Sequence, residues 1–217
     1  MANFSKLLSY IWPQTRKSPS DFSGELEITL FQGKKVLDTK NANYSYGSLQ
    51  KILEKALQNI DLSATKNILL LGMGAGSVIK SLRQKFAFQA QIDAVEIDAK
   101  IIALAAREFD VVATENTKII NDDAYSFLQK NKQEYDLIII DIFIDTKVPE
   151  QFYSVEFAQL IERHLSSKAS TIFNLGMTFD TNKNVTKFVQ YFEQKAFFIN
   201  ILKKVERFNT VLIAQAK

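Results

Sequence analysis

The feature that most constrains this chain is the aliphatic run Ile68, Leu69, Leu70 and Leu71, followed at once by Gly72-Met73-Gly74-Ala75-Gly76. Consecutive aliphatic side chains cannot make the one-sided alternation of a half-exposed strand. They imply a strand buried on both faces. Helical spacing at Val78, Ile79, Leu82 and Phe86 follows, then a strand over residues 92–97 and a helix carrying Ile101, Ile102, Ala105 and Phe109. Residues 118–120 predict a short strand, 122–129 a helix, 137–140 another buried strand, 155–165 a helix and 171–173 a strand. Val185, Phe188, Val189 and Phe192 set the last helix. Strands alternating with helices are joined by right-handed crossovers and lie parallel. The end departs from that rule, because the link between residues 197–203 and 210–214 is too short for a helical crossover, so these strands pair antiparallel. The expected fold is α/β, a doubly wound sheet that is mostly parallel with an antiparallel C-terminal strand.

The segment before this series is organised differently. Phe4, Leu7, Leu8 and Ile11 predict a short amphipathic helix stopped by Pro13, and residues 16–23 read as a connector. Residues 25–30 alternate polar and apolar, Gln32-Gly33-Lys34 turns, and Val36 and Leu37 continue, which predicts a β-hairpin. Leu49, Ile52, Leu53, Leu57 and Ile60 mark a helix. The expected division is residues 1–46, an N-terminal helix with a small β-hairpin region, and 47–217, a Rossmann-like domain. Phe4 and Trp12 either form a partner surface or, as the expectation runs, pack into the core.

A chain of 217 residues with 47% hydrophobic content supports one full-sized core and a small appendage. The absence of cysteine excludes disulfides, thiolate nucleophiles and thiolate-held metals. The single histidine, His164, shares a helical face with Leu160 and Ile161 and reads as a packing residue, so no metal site is assigned. The N-terminus lacks a basic start and a small-residue cleavage site, and no apolar run approaches the ~18 residues that span a bilayer. A cytoplasmic setting with no membrane association is the expectation. Lys and Arg are scattered and the net charge is only +3, which describes a solvated surface rather than a nucleic-acid footprint.

The chemistry gathers where strands end. Glycines between the first buried strand and its helix permit a tight turn and let a ligand approach the backbone. Glu96 ends the second strand about 20 residues after the glycines, where an acid accepts hydrogen bonds from ribose hydroxyls. Asp98 reads as the cap of the following helix. Of Asp122 and Asp123, one caps the next helix while the other faces the cleft, within reach of an exocyclic amine such as adenine N6, or both cap. Asp141 ends the fourth strand at the carboxyl edge of the sheet, with Asp145 just beyond. A carboxylate there orients an amine or takes its proton, or else it is a loop aspartate satisfied by backbone N–H groups. No Lys or Arg sits in these turns. A ring of carboxylates repels a pyrophosphate and attracts a cation, which points to an adenosine-bearing sulfonium or an amine rather than a dinucleotide.

With these residues in place, the chain resembles the spermidine synthase family of the class I S-adenosylmethionine-dependent methyltransferase fold, from about Gly24 to the C-terminus. The resemblance rests on Tyr44-Ser45-Tyr46, the glycine loop Leu70 to Gly76, Val95-Glu96-Ile97-Asp98, Asp123-Ala124, the strand from Tyr135 to Asp141, and the closing strand from Asn209 to Ala214. It implies that Gly72, Gly74, Gly76, Glu96, Ile97, Asp123 and Ala124 hold the nucleoside, that Asp141 deprotonates an attacking amine and that Tyr46 positions that amine. It also implies S-adenosylmethionine or its decarboxylated form as co-substrate, a small-molecule acceptor such as an amine, and a homodimer. Three places depart from the family. Ala75 stands where its aminopropyltransferases carry an aspartate. Gly47-Ser48 stands for a polar pair. Ile142-Phe143-Ile144 separates Asp141 from Asp145 where the family has two small residues, so Asp145 is not carried over. Ala75 points away from aminopropyl transfer, and the apolar triplet points to an apolar acceptor pocket. The reading is transfer of a methyl or aminopropyl group; the alternatives are a true aminopropyltransferase and a non-catalytic module of the same fold.

Overall fold

The computed structural model describes residues 6–39, 43–45, 47–177, 179 and 181–217. Residues 6–8 are helical, and apolar side chains of residues 7–12 face solvent: Trp12 is 77% exposed, Ile11 is more open still and Leu7 is also exposed. The expectation that Trp12 packs in the core is therefore corrected, and Phe4 lies outside the described residues. An antiparallel sheet follows, with β1 (Gln14–Pro19), β2 (Glu25–Phe31), β3 (Lys34–Thr39) and β4 (Asn43–Ser45) in that spatial order. The β2–β3 hairpin is the one the alternation predicts, with Leu26, Ile28 and Leu37 turned inward. The connector expected at residues 16–23 is corrected, because β1 pairs with β2 from Gln14↔Leu30 to Pro19↔Glu25. An edge strand held by its backbone ladder needs no apolar alternation, and β1 has none.

The larger sheet has the order β10-β11-β9-β8-β5-β6-β7. Its parallel strands are β5 (Asn67–Leu71), β6 (Gln91–Glu96), β7 (Thr117–Asn121), β8 (Tyr135–Ile140) and β9 (Leu165–Asn174). As the short terminal link requires, β10 (Phe197–Val205) pairs antiparallel with β11 (Asn209–Ala216), which pairs antiparallel with β9. Side chains alternate between two apolar layers. Ile68, Leu70, Ile92, Leu137 and Ile139 face α1 (Ser48–Leu57), α2 (Ser77–Lys80, continued by a π-helical turn Ser81–Lys85) and α3 (Ala99–Phe109). Leu69, Leu71, Ile138 and Ile140 face α4 (Ala124–Lys130), α5 (Val155–Arg163) and α6 (Lys183–Gln194). Covering both faces is what makes the central strands continuously apolar. On the second face Phe173 and Phe188 meet edge to face at 5.2 Å, and Phe188 also contacts Phe157 and Phe192. Each fully buried phenylalanine contributes roughly 1.5–3 kcal/mol.

The N-terminal sheet is fixed to the larger sheet through α3 and the turn before it. Glu108 accepts from Arg16 (2.6 Å), Lys35 (3.1 Å) and Arg107 (3.0 Å). Asp98 Oδ2 accepts from the Ser20 hydroxyl (2.6 Å) and the Asp21 N–H (2.8 Å). The chain runs outward from β5 through β6 to β7, then returns to β8 on the other side of β5. That reversal places a crevice at the carboxyl ends of β5 and β8, the position where open α/β sheets take ligands.

Candidate active site

Gly72 opens the crevice. Its φ is +85°, and a Cβ added there would lie 2.3 Å from the carbonyl oxygen of Asp141. Only glycine lets the two strand ends close up so tightly. The N–H groups of Gly72 and Met73 both donate to Val95 O at 3.0 Å, so the loop is tied to β6 as well. Gly76 works elsewhere: it begins α2 with φ +81°, and its missing Cβ makes room for Val111 at 2.6 Å.

Glu96 ends β6 with 5% of its surface exposed. Its Oε2 accepts the Gly74 N–H at 2.8 Å and its Oε1 the Asp98 N–H at 3.0 Å. Burial raises its pKa; the N–H groups of Asp98 and Gly74 oppose that without cancelling it. Asp98 caps α3, as its position after the strand implies, with Oδ1 accepting the Lys100 N–H at 2.8 Å. Asn121 donates to the carbonyls of Glu96 and Ile97, both at 2.9 Å, and so fixes the backbone beneath Ile97.

Asp123 caps α4 through Oδ1, which accepts the Ser126 N–H at 2.9 Å, and its Oδ2 has no partner among the described residues. Asp122 accepts the Asp123 N–H at 2.9 Å and lies 3.4 Å from the Lys130 ammonium. Asp141 follows β8, its backbone N–H bound to Leu71 O at 2.9 Å. Burial pushes its carboxyl up to about 6, against a hydrogen bond from Asn174 Nδ2 to Oδ1 at 2.9 Å that lowers it. Asp145, with φ +54°, accepts from Thr39 at 2.7 Å and joins the loop after β8 to the N-terminal sheet.

Glu96, Asp98, Asp122, Asp123, Asp141 and Asp145 all line one cavity of about 730 Å³. Gly72, Gly74, Ile97 and Ala124 share its wall; Gly76 does not. Among the described residues no Lys or Arg lines it. Apolar side chains complete the lining, with Phe22 from the β1–β2 turn and Ile142, Phe143, Met177 and Phe208. The carboxylates are spread around the wall, and among the described residues no three acidic or histidine side chains converge to hold a metal. A chamber of this size lined by carboxylates, with no cation among the described residues, suits a nucleoside bearing a positive centre and disfavours a pyrophosphate. Tyr46 lies outside the described residues. Ala75 is fully buried in the apolar layer and stands off the cavity wall.

Sequence reasoning missed Asn174, Asn209 and Glu206. Asn174 ends β9, so the rule that singled out the other strand ends would have found it. Asn209 and Glu206 come from the β10–β11 hairpin, whose placement beside the crevice only the antiparallel pairing reveals. His164 is buried, its Nδ1 within 2.7 Å of Leu160 O and its Nε2 within 3.1 Å of Asn131 O, in keeping with a packing role.

Residues 52–211 match the spermine/spermidine synthase domain. The probable polyamine aminopropyl transferase of Bifidobacterium longum is 31% identical over 119 residues, 55% of this chain and 26% of that protein. The polyamine aminopropyltransferase of Vibrio vulnificus is 31% identical over 121 residues, 54% of this chain and 39% of its own length. The chain thus spans between a quarter and two fifths of these curated relatives. A spermidine synthase solved with the transition-state analogue AdoDATO superposes with a TM-score of 0.70 at 15% identity, over 93% of this chain and 73% of that one. Human methyltransferase-like protein 13 in complex with SAH superposes with a TM-score of 0.65 at 19% identity, over 79% and 83%. These superpositions show a shared methyltransferase-like fold.

Proposed function

The chain belongs to the spermine/spermidine synthase family, and from that premise we propose that it transfers an aminopropyl group from decarboxylated S-adenosylmethionine to a small amine. The observation that carries the proposal is the cavity at the switch point, ringed by carboxylates with no cation on its wall among the described residues. The sequence put methyl transfer level with aminopropyl transfer and leaned away from the latter because of Ala75. Against that, the aminopropyl-transferring relatives favour aminopropyl transfer.

In this proposal Glu96 and the backbone of Gly72 to Gly74 receive the ribose, and Ile97, Ala124 and the open Oδ2 of Asp123 border the adenine. Gly76 supports the loop from behind. When bound, the sulfonium supplies an electrophilic methylene carbon and a neutral thioether leaving group. The amine nitrogen bonds to that carbon as the carbon–sulfur bond breaks, and Asp141 takes the proton that the nitrogen sheds. Burial makes Asp141 a stronger proton acceptor than an ordinary aspartate while leaving it ionised at neutral pH. Ile142 and Phe143 exclude water beside it, which strengthens the attraction between Asp141 and a cationic acceptor. Tyr46 is retained as a positioning group for the amine, and residues 1–46 as a separate unit from which Phe22 and Ser23 line the cavity.

The test is turnover with decarboxylated S-adenosylmethionine and a panel of diamines and monoamines, read by mass spectrometry. Methylthioadenosine and an alkylated amine, formed in equal amounts, are the expected products, and Asp141→Asn should lose at least a hundredfold in kcat. Methyl transfer from S-adenosylmethionine with no reaction of the decarboxylated form would overturn the proposal.

A further inference from the structure

Asn174 is fully buried at the end of β9, and every polar atom of its side chain is committed. Its Nδ2 donates to Asp141 Oδ1 at 2.9 Å. Its Oδ1 accepts from the Asn209 Nδ2 at 3.0 Å and from the Gly176 N–H at 3.2 Å. Flipping the amide would set oxygen against a carboxylate and nitrogen against two donors, so these partners admit one orientation. Asp141 Oδ2 has no partner among the described residues. We propose that Asn209 and Asn174 form a positioning relay in which Asn209 fixes the Asn174 amide and Asn174 holds Asp141 Oδ1, so that only Oδ2 is offered to the acceptor amine.

The relay rests on Asp141 being the proton acceptor, but its physical content is measurable without turnover. The charged groups sharing the cavity with Asp141 are Glu96 and Asp98 after β6, Asp122 and Asp123 after β7, Asp145 in the following loop and Glu206 in the β10–β11 turn. Burial raises the pH at which Asp141 ionises, and the Asn174 hydrogen bond lowers it. Losing the Asn174 donor therefore raises the pH at which Asp141 ionises. Losing the Asn209 donor leaves only the Gly176 N–H on the Asn174 oxygen, loosens the amide and acts in the same direction, more weakly.

The experiment is a carbon-13 NMR titration of Asp141 in the full chain and in Asn174→Leu, Asn209→Leu and the double variant. Asp141→Asn identifies the resonance. The expected result is a rise of about one pH unit in Asn174→Leu, a tenfold change in proton affinity, and a smaller rise in Asn209→Leu. In the double variant Asn209→Leu should add nothing further, because a relay has one outlet. Where turnover is detected, the acid limb of kcat/KM should move with the titration while KM for the sulfonium nucleoside stays constant. An unchanged Asp141 titration in Asn209→Leu, or additive effects in the double variant, would overturn the relay. If Asn174→Leu does not fold, Asn209→Leu and Asn209→Ala decide by the same titration. A shifted titration with no turnover in the unaltered chain would leave the relay standing and remove the catalytic reading.

Discussion

Replacing Gly72 by alanine perturbs the contact on which the crevice depends. Residue 72 has φ +85°, and a left-handed backbone costs a non-glycine residue about 1–2 kcal/mol. The new Cβ would lie 2.3 Å from the Asp141 carbonyl oxygen, 2.8 Å from its carbon and 3.2 Å from the Ile142 nitrogen. All three are backbone atoms of the neighbouring chain segment, so no side-chain rotation relieves the contact, and such overpacking costs roughly 1–3 kcal/mol more. The sum of about 2–5 kcal/mol should lower Tm by about 5–20 °C in a chain of this size. Gly24→Ala is the matched control: its φ is +73°, but nothing lies within 4 Å of the added atom. The change in unfolded-state entropy is common to both substitutions and cancels in the comparison. Thermal and urea unfolding of the two variants isolate the crowding between β5 and β8. If Gly72→Ala is no more destabilising than Gly24→Ala, the close approach of the strand ends is refuted.

Further outcomes follow from charge and capping. Asp141 has a raised pKa, so its charge disfavours the folded state, and stability should fall as pH rises from about 4 through about 6 and stay lower above that. Asp141→Asn should accordingly be more stable than the parent at pH 7.5, by on the order of 2 kcal/mol, with the gap closing below pH 4 in urea titrations. Glu108 behaves oppositely: burial would raise it, but hydrogen bonds from Arg107, Lys35 and Arg16 hold it down to about 2. Its contribution is complete above about pH 4.5 and is lost as pH falls toward 2, and Glu108→Gln should remove roughly 1–2 kcal/mol at pH 7 after discounting its exposed partners. Asp98→Ala removes the cap of α3 and the anchor of Ser20 and Asp21 together, at a cost of about 2–4 kcal/mol. Hydrogen exchange should then show faster opening of residues 20–24 than of β2.

Where burial dictates the pattern, the sequence was readable. The run at residues 67–71 needs apolar layers on both sides, and the acids at the ends of β6, β7 and β8 gather at the carboxyl edge of the parallel sheet, around the cavity. The antiparallel finish followed from chain length alone, because six residues cannot house a crossover helix. What stayed hidden depends on backbone pairing or on partners distant in sequence. β1 is polar throughout and exists through its ladder with β2. Gly72 and Gly76 look alike in the loop, yet one meets Asp141 and the other Val111, residues that come together only after folding. Trp12 stands in a segment whose apolar spacing promised burial, and the side chain is open to solvent. Asn174 became recognisable only when Asp141 and Asn209 were found on either side of it.

The proposed function requires the cavity to take a positively charged adenosine sulfonium through its carboxylates. Titration calorimetry of the chain and of Glu96→Gln with decarboxylated S-adenosylmethionine, methylthioadenosine and ADP tests it most directly. The account predicts that the sulfonium binds more tightly than the neutral thioether, that ADP does not compete, and that Glu96→Gln weakens both nucleosides by at least tenfold. ADP binding as tightly as the nucleosides, or a Glu96→Gln variant with undiminished affinity, would contradict it.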